Sequence, residues 1–257
     1  MNQKYAFATN NVLIYITTSI IVTILHELAH FLVANYFDLH PVLYHNYVNY
    51  SDKFTASQGL YIAAAGPLFS LLQGIICMFW TKKIKQKGLF SLTILWLGLQ
   101  GILTFMGYLL IAPFFAYGDT GKVFAILGVP MFMRIIISIL SIIIITWYYL
   151  KQTAEMVQYA YSDDLDRKTI ARDLLLLPIF LGGLINASLQ LPVPTFLSLI
   201  APIFMPFTFM SVYGNYRNIK HDFLKPSVLI KEYSISVIIF FVICVTVFRI
   251  LRYGISF

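Results

Sequence analysis

Most of this chain consists of apolar stretches long enough to cross a lipid bilayer, and the medium they imply restricts the fold more than any motif. About twenty apolar residues in helical form span the roughly 30 Å hydrocarbon core. Within that core every backbone N–H and C=O must be satisfied inside the protein, so runs of this length are read as helices. Seven can be traced: about Val12–Tyr36, Gly59–Thr81, Leu89–Phe115, Met131–Leu150, Leu174–Leu191, Phe196–Tyr213 and Tyr233–Ile250. The fifth is short and interrupted by Gly182-Gly183, which suits a re-entrant or tilted segment. A composition of 59% hydrophobic and 11% charged residues, with 22 Phe and 17 Tyr, exceeds what a soluble domain of this length needs. The expectation is an all-α polytopic, integral multi-pass membrane protein with six or seven transmembrane helices.

The polar segments lie between these runs. Residues 151–173 include Ser162-Asp163-Asp164-Leu165-Asp166-Arg167-Lys168 and read as a solvated loop or surface helix, and a basic loop follows at Arg217–Lys231. The net charge of +7 comes from such loops, so its expected partner is lipid head groups and not nucleic acid. Cys77 and Cys244 both fall in apolar runs and suggest no disulfide framework. Met1 to Phe7 is too short and polar for a signal peptide, so the first apolar segment should be retained. No internal repeat is evident, and one membrane domain is the simplest account. Between the first two segments, Val42-Leu43-Tyr44-His45-Asn46-Tyr47-Val48-Asn49-Tyr50 is rich in aromatic and β-branched residues and is bounded by Pro41 and Ser51. It reads as a strand or hairpin at the membrane interface, or as a tyrosine-rich loop at head-group depth.

Inside the first segment stands His26-Glu27-Leu28-Ala29-His30. A carboxylate in the middle of a span costs roughly 2.5–3.5 kcal/mol on insertion scales, so something must offset it. Residues four apart share a helix face, which lets His26 and His30 present two imidazoles to one metal ion. Glu27 then projects beside them, where it can take a proton from water held at the metal. This is the zinc-hydrolase pattern H-E-x-x-H; the plainer reading of any one histidine here is a packed, hydrogen-bonded core residue.

Two histidines leave a metal short of a third protein ligand and an open position. Between Lys53 and Ala154 the sole acidic residue is Asp119, in Ala116-Tyr117-Gly118-Asp119-Thr120-Gly121. Scarcity makes it the candidate. Its alternative role is a turn aspartate or an N-cap for a helix beginning at Lys122. His40 and His45 are further possible ligands, although nothing in their spacing gives them a common face with His26 or His30.

These stretches resemble the site-2-protease family of intramembrane zinc metalloproteases, over about residues 20–125. His26-Glu27-Leu28-Ala29-His30-Phe31 is similar to that family's H-E-x-x-H helix. Ala63-Ala64-Ala65-Gly66-Pro67-Leu68-Phe69-Ser70 resembles its small-residue run ending in Gly-Pro-x-x-Asn, with Ser70 in place of the asparagine. Gly118-Asp119-Thr120-Gly121 falls where the family has an Asp-Gly motif, although Thr120 follows the aspartate and Pro113 is displaced from the usual proline-rich position. The resemblance implies a three-helix catalytic core at 1–130, with additional transmembrane helices at 131–257 in the same membrane domain. It also implies Zn2+ held by His26, His30 and Asp119, Glu27 as the general base, and Gly66, Pro67 and Ser70 as substrate contacts. The substrate would be a protein or peptide in the plasma membrane of a bacterium. A hairpin after the first helix would lie beside the site and pair with an unwound substrate by strand addition.

Two other functions stay open from the sequence: a catalytically silent membrane binding module of the immunity type, and a transporter using its His/Glu cluster. Orientation is also open. The positive-inside rule puts Lys82, Lys83, Lys85 and Lys87 in the cytoplasm and the histidines nearer the outer face, whereas the resemblance implies the reverse.

Overall fold

A computed structural model describes residues 5–159, 167–216 and 232–256. The acidic run Ser162–Asp166, the basic loop from Arg217 to Lys231 and the first four residues lie outside the described residues. In order come α1 (Ala6–Tyr36), β1 (Pro41–Leu43), β2 (Val48–Tyr50), α2 (Ala56–Lys83), α3 (Leu89–Ile111), α4 (Asp119–Ile126) and α5 (Met131–Val157). Next α6 (Arg167–Ala171) runs into two π-helical turns, Arg172–Leu176 and Pro178–Gly182, and then into α7 (Gly183–Leu189). After α8 (Phe196–Phe204), a 3₁₀ turn (Met205–Phe209) and α9 (Met210–Tyr216), α10 (Ile235–Ile250) completes the bundle.

The protein is an all-α polytopic membrane protein with a small antiparallel hairpin between its first two helices. Among the described residues six helices are long and apolar enough to cross a membrane: α1, α2, α3, α5, Arg172–Leu189 and Ile235–Tyr253. The apolar run at 196–213 is the exception to the seven expected spans. Pro202 and Pro206 each lack an N–H and crowd the preceding turn, and the run breaks into α8, the 3₁₀ turn and α9. It still traverses the bundle. Phe196 lines a cavity beside Asp119, while Asn215 at the other end reaches the Leu150 carbonyl of α5.

The π-helical span is held by a side chain from α1. Pro178 has no N–H to offer the Leu174 carbonyl, and the widened turns shift the neighbouring bonds. Asn11 Nδ2 donates to the carbonyls of Asp173 at 3.0 Å and Leu174 at 2.9 Å, and its Oδ1 accepts from Trp96 Nε1 at 2.7 Å. That one amide therefore joins α1, α3 and the fifth span. Around it Ile16, Ile20, Leu92, Leu95, Trp96, Leu99, Tyr149, Phe209 and Phe248 form the main apolar core.

The two ends of the bundle differ. At one end Lys87, in the turn before α3, pairs with Glu155 of α5. At the other end Pro41 pairs with Tyr50, Val42 with Asn49 and Leu43 with Val48. Leu43 also exchanges both backbone bonds with Ile255, at 2.8 and 2.9 Å. Phe31, Leu43 and Leu251 seal this hairpin onto α1.

Candidate metal centre

His26, Glu27 and His30 lie toward the hairpin end of α1, and all three are buried. One helical turn brings the imidazoles together, with Nε2 atoms 3.1 Å apart. Asp119 opens α4 and sends Oδ2 to within 2.9 Å of His26 Nε2 and 3.1 Å of His30 Nε2. Gly118, not Asp119, occupies the N-cap position of α4, so the carboxylate is free of the capping role the sequence left open. Gly121 makes the approach possible, since a Cβ there would overlap the Phe115 carbonyl and lie 3.0 Å from Ala116 Cα.

The other ring nitrogens decide what the cluster can hold. His30 Nδ1 lies 2.6 Å from the Ile62 carbonyl, which can only accept, so Nδ1 carries the proton and the neutral ring keeps its lone pair on Nε2. His26 Nδ1 meets the Ser70 hydroxyl at 3.0 Å, a group able to accept in the same way. With both rings neutral and protonated on Nδ1, three electron pairs converge within about 3 Å. Such an arrangement repels itself unless a cation sits between the atoms. The separations are slightly inside the about 3.3 Å expected between donors around a tetrahedral ion with 2.0–2.1 Å bonds. Within a multi-span helical bundle, this buried His/His/Asp cluster can coordinate a divalent metal ion.

α2 forms the back wall. A Cβ on Gly66 would fall 2.6 Å from His26 Nε2 and overlap His30, so glycine is what lets the imidazoles in. Pro67 denies an N–H to the Ala63 carbonyl and loosens the turn ahead of it, and Ile62 in that turn supplies the carbonyl that accepts from His30. Ser70 is buried behind His26. The resemblance implies that these three contact substrate. Gly66 and Ser70 lie against the imidazoles, and neither they nor Pro67 is among the residues bordering a cavity at Glu27.

The front of the cluster is open. A cavity of about 700 Å³ is bordered by His30, Asp119, Glu27, Lys122 and the hairpin residues Tyr47, Val48 and Tyr50. Tyr108 of α3 also lines it and stacks on His26, with ring centroids 5.0 Å apart and planes 8° from parallel. Nothing in the sequence marks Tyr108 among seventeen tyrosines. The remaining described histidines stay apart. His40 is exposed and paired with Asp52 at 2.7 Å, which raises its pKa. Buried His45 reaches the Gln190 carbonyl at 2.9 Å, and burial lowers its pKa against that bond.

Comparison with family models, curated proteins and solved structures finds no match.

Proposed function

We propose that this protein is an intramembrane zinc metalloendopeptidase of the site-2-protease type, acting on membrane-embedded or membrane-associated protein or peptide substrates. One observation carries the reading: Glu27 is outside the converging triangle, yet it adjoins His26 and lies on the wall of the cavity where the triangle opens. A structural metal site in a silent binding module has no use for a costly buried carboxylate that does not touch the ion. A transporter would carry ionisable groups on several facing helices, and the spans after α4 carry them only near their ends.

In this reading His26, His30 and Asp119 hold the metal, and residues 1–130 form the catalytic core, with the later helices added around it in one membrane domain. Bound zinc would act as a Lewis acid and lower the pKa of water to about 7. Glu27 accepts the proton of the attacking water and delivers it to the leaving amine. Ser70 and the Ile62 carbonyl hold the two rings in register, as outer partners of ligating histidines do.

The hairpin supplies a place for an unwound substrate. A transmembrane helix hides its peptide bonds in its own ladder, and freeing them in lipid costs several kcal/mol unless other groups replace the lost bonds. The outer edge of β1 is already occupied, because Leu43 bonds Ile255. Antiparallel alternation then turns the backbone groups of Val48 and Tyr50 away from β1, and both residues border the large cavity. This β2 edge is where an extended substrate strand would add.

The test is metal analysis and cleavage of candidate membrane peptides by the purified chain, with Glu27→Gln beside it. The substitution should lower turnover by about 10²–10⁴-fold, the usual worth of a general base, and leave the metal bound. Undiminished turnover in Glu27→Gln would sink this mechanism.

A further inference from the structure

A peptide bond opened beside Glu27 needs more than a base. When water adds to the scissile carbonyl, the carbonyl oxygen gathers negative charge, and a donor fixed beforehand at its position lowers the barrier most. A second, smaller cavity of about 180 Å³ lies between α1, α3, α7 and α8. It shares four wall residues with the large one: Glu27, Asn46, Tyr108 and Ser198. Asn46 uses an N–H on the Gln190 carbonyl at 3.0 Å, and the Ser198 hydroxyl pairs with that of Thr195 at 3.2 Å. Tyr108 stands against the metal centre itself.

The Tyr108 ring is 5.0 Å from that of His26, with planes only 8° from parallel. The Nε2 lone pair lies in the imidazole plane, so the phenol stands to one side of the point where the lone pairs converge. Its hydroxyl is within hydrogen-bonding reach of the Asp119 carboxylate. Thr120, next to Asp119, donates its hydroxyl hydrogen to the Tyr108 carbonyl and ties the start of α4 to this turn of α3. Ring stacking and backbone therefore place the phenol, and a phenylalanine would be placed equally well. The hydroxyl has two possible uses: to steady Asp119, or to donate to the oxygen that gathers charge beside the ligands. Its position favours the second, because Tyr108 borders both cavities beside Glu27 whereas Asp119 borders only the large one. Lys122 is the one cation on the large cavity, but it is exposed, where water weakens its field.

We propose that Tyr108 is a further catalytic residue, its hydroxyl donating a hydrogen bond to the scissile carbonyl oxygen as that oxygen becomes an oxyanion. The inference rests on the protease reading above. Tyr108 keeps its proton throughout. The oxygen of water bonds the carbonyl carbon while one of its protons passes to Glu27, and the C=O π pair moves onto the oxygen that Tyr108 faces. When that pair returns, the C–N bond breaks and Glu27 gives the proton to the departing nitrogen.

Tyr108→Phe keeps the ring on His26 and the carbonyl for Thr120, and removes the hydroxyl alone. Three quantities are measured on the purified, zinc-loaded chain. They are metal affinity by chelator competition, turnover of a membrane peptide that the native chain cleaves, and binding of that peptide's phosphinic analogue, whose tetrahedral phosphorus carries a charged oxygen. In Tyr108→Phe kcat should fall by about 10²–10³-fold, as on loss of one oxyanion donor, with KM within about threefold of native. The phosphinic analogue, a mimic of the tetrahedral state, should bind about tenfold or more weakly. Metal affinity should not change. Native turnover in Tyr108→Phe, or a loss of about 10–100-fold in metal affinity, as for an outer partner of Asp119, would overturn the proposal. So would a loss of turnover found in Lys122→Met and not in Tyr108→Phe. If the native chain cleaves no membrane peptide, the protease reading fails and this role with it; equal cleavage by the native and Tyr108→Phe chains sinks the role of Tyr108 alone.

Discussion

α1 and α5 have similar mean hydropathy over their membrane-crossing stretches, 1.8 and 2.1, yet 61% of the first is buried in the protein and only 17% of the second. Hydropathy tells both helices to enter the membrane and says nothing of where in the bundle each will stand. The difference lies in their polar residues. α1 buries Asn10, Asn11, Thr17, Thr18, His26, Glu27 and His30 along its length, and lipid offers none of them a partner. Such a helix must be surrounded by others. α5 confines its buried polar groups to Ser138, Ser141, Gln152 and Thr153, and shows Ile139, Ile142, Ile143 and Trp147 to the outside. It reads as a lipid-facing wall built against the centre.

The contrast breaks first at the metal. His26→Ala or His30→Ala should take bound metal from stoichiometric to near zero, with loss of all activity; full occupancy measured in either variant would move the ligands elsewhere. Asp119→Asn should weaken metal binding by more than the about 10–100-fold that an outer partner is worth. Asparagine would serve almost as well in a turn or cap, so chelator competition on this variant separates ligand from turn residue. Ser70→Ala comes next. It removes only the hydroxyl on His26 Nδ1, and a loss of about 10–100-fold in metal affinity is expected, with the fold intact by circular dichroism.

The packing half of the comparison is sharpened by a matched pair. Ile20 of α1 is fully buried, and Ile143 of α5 is 56% exposed. Ile20→Ala should cost about 2–5 kcal/mol through the cavity it leaves. Ile143→Ala should stay within about 0.5 kcal/mol, as outward-facing substitutions do. Equal losses in a denaturation series would mean that α5 is covered by something other than lipid. The last test reads direction only. By the positive-inside rule a cysteine at Lys85 should label from the cytoplasm and one at Ser51 from outside; the opposite pattern would give the site the orientation its resemblance implies.

Much of the fold was legible before any coordinates, for a reason that can be stated residue by residue. The runs around α1, α2, α3, α5 and α10 are long, uninterrupted and nearly free of charge, and lipid tolerates little but a helix there. Pro41, the β-branched and aromatic residues after it, and Ser51 marked the hairpin. The break at 202–206 was written in two prolines, but the apolar composition around them outweighed them in a reading by segments.

Charge scarcity in an apolar chain is a local property, and it alone was enough to pick out His26, Glu27, His30 and Asp119 as the groups needing an explanation. Their meeting is not local. Asp119 comes to His26 across 93 positions, Ser70 across 44, and Asn186 reaches Ser19 across 167. Only the packed bundle decides that Ser70 stands behind an imidazole and that Gly66 clears space for two rings. A one-dimensional pattern records which groups are costly to bury. Which partner meets that cost depends on helix crossings set by the shapes of many side chains at once.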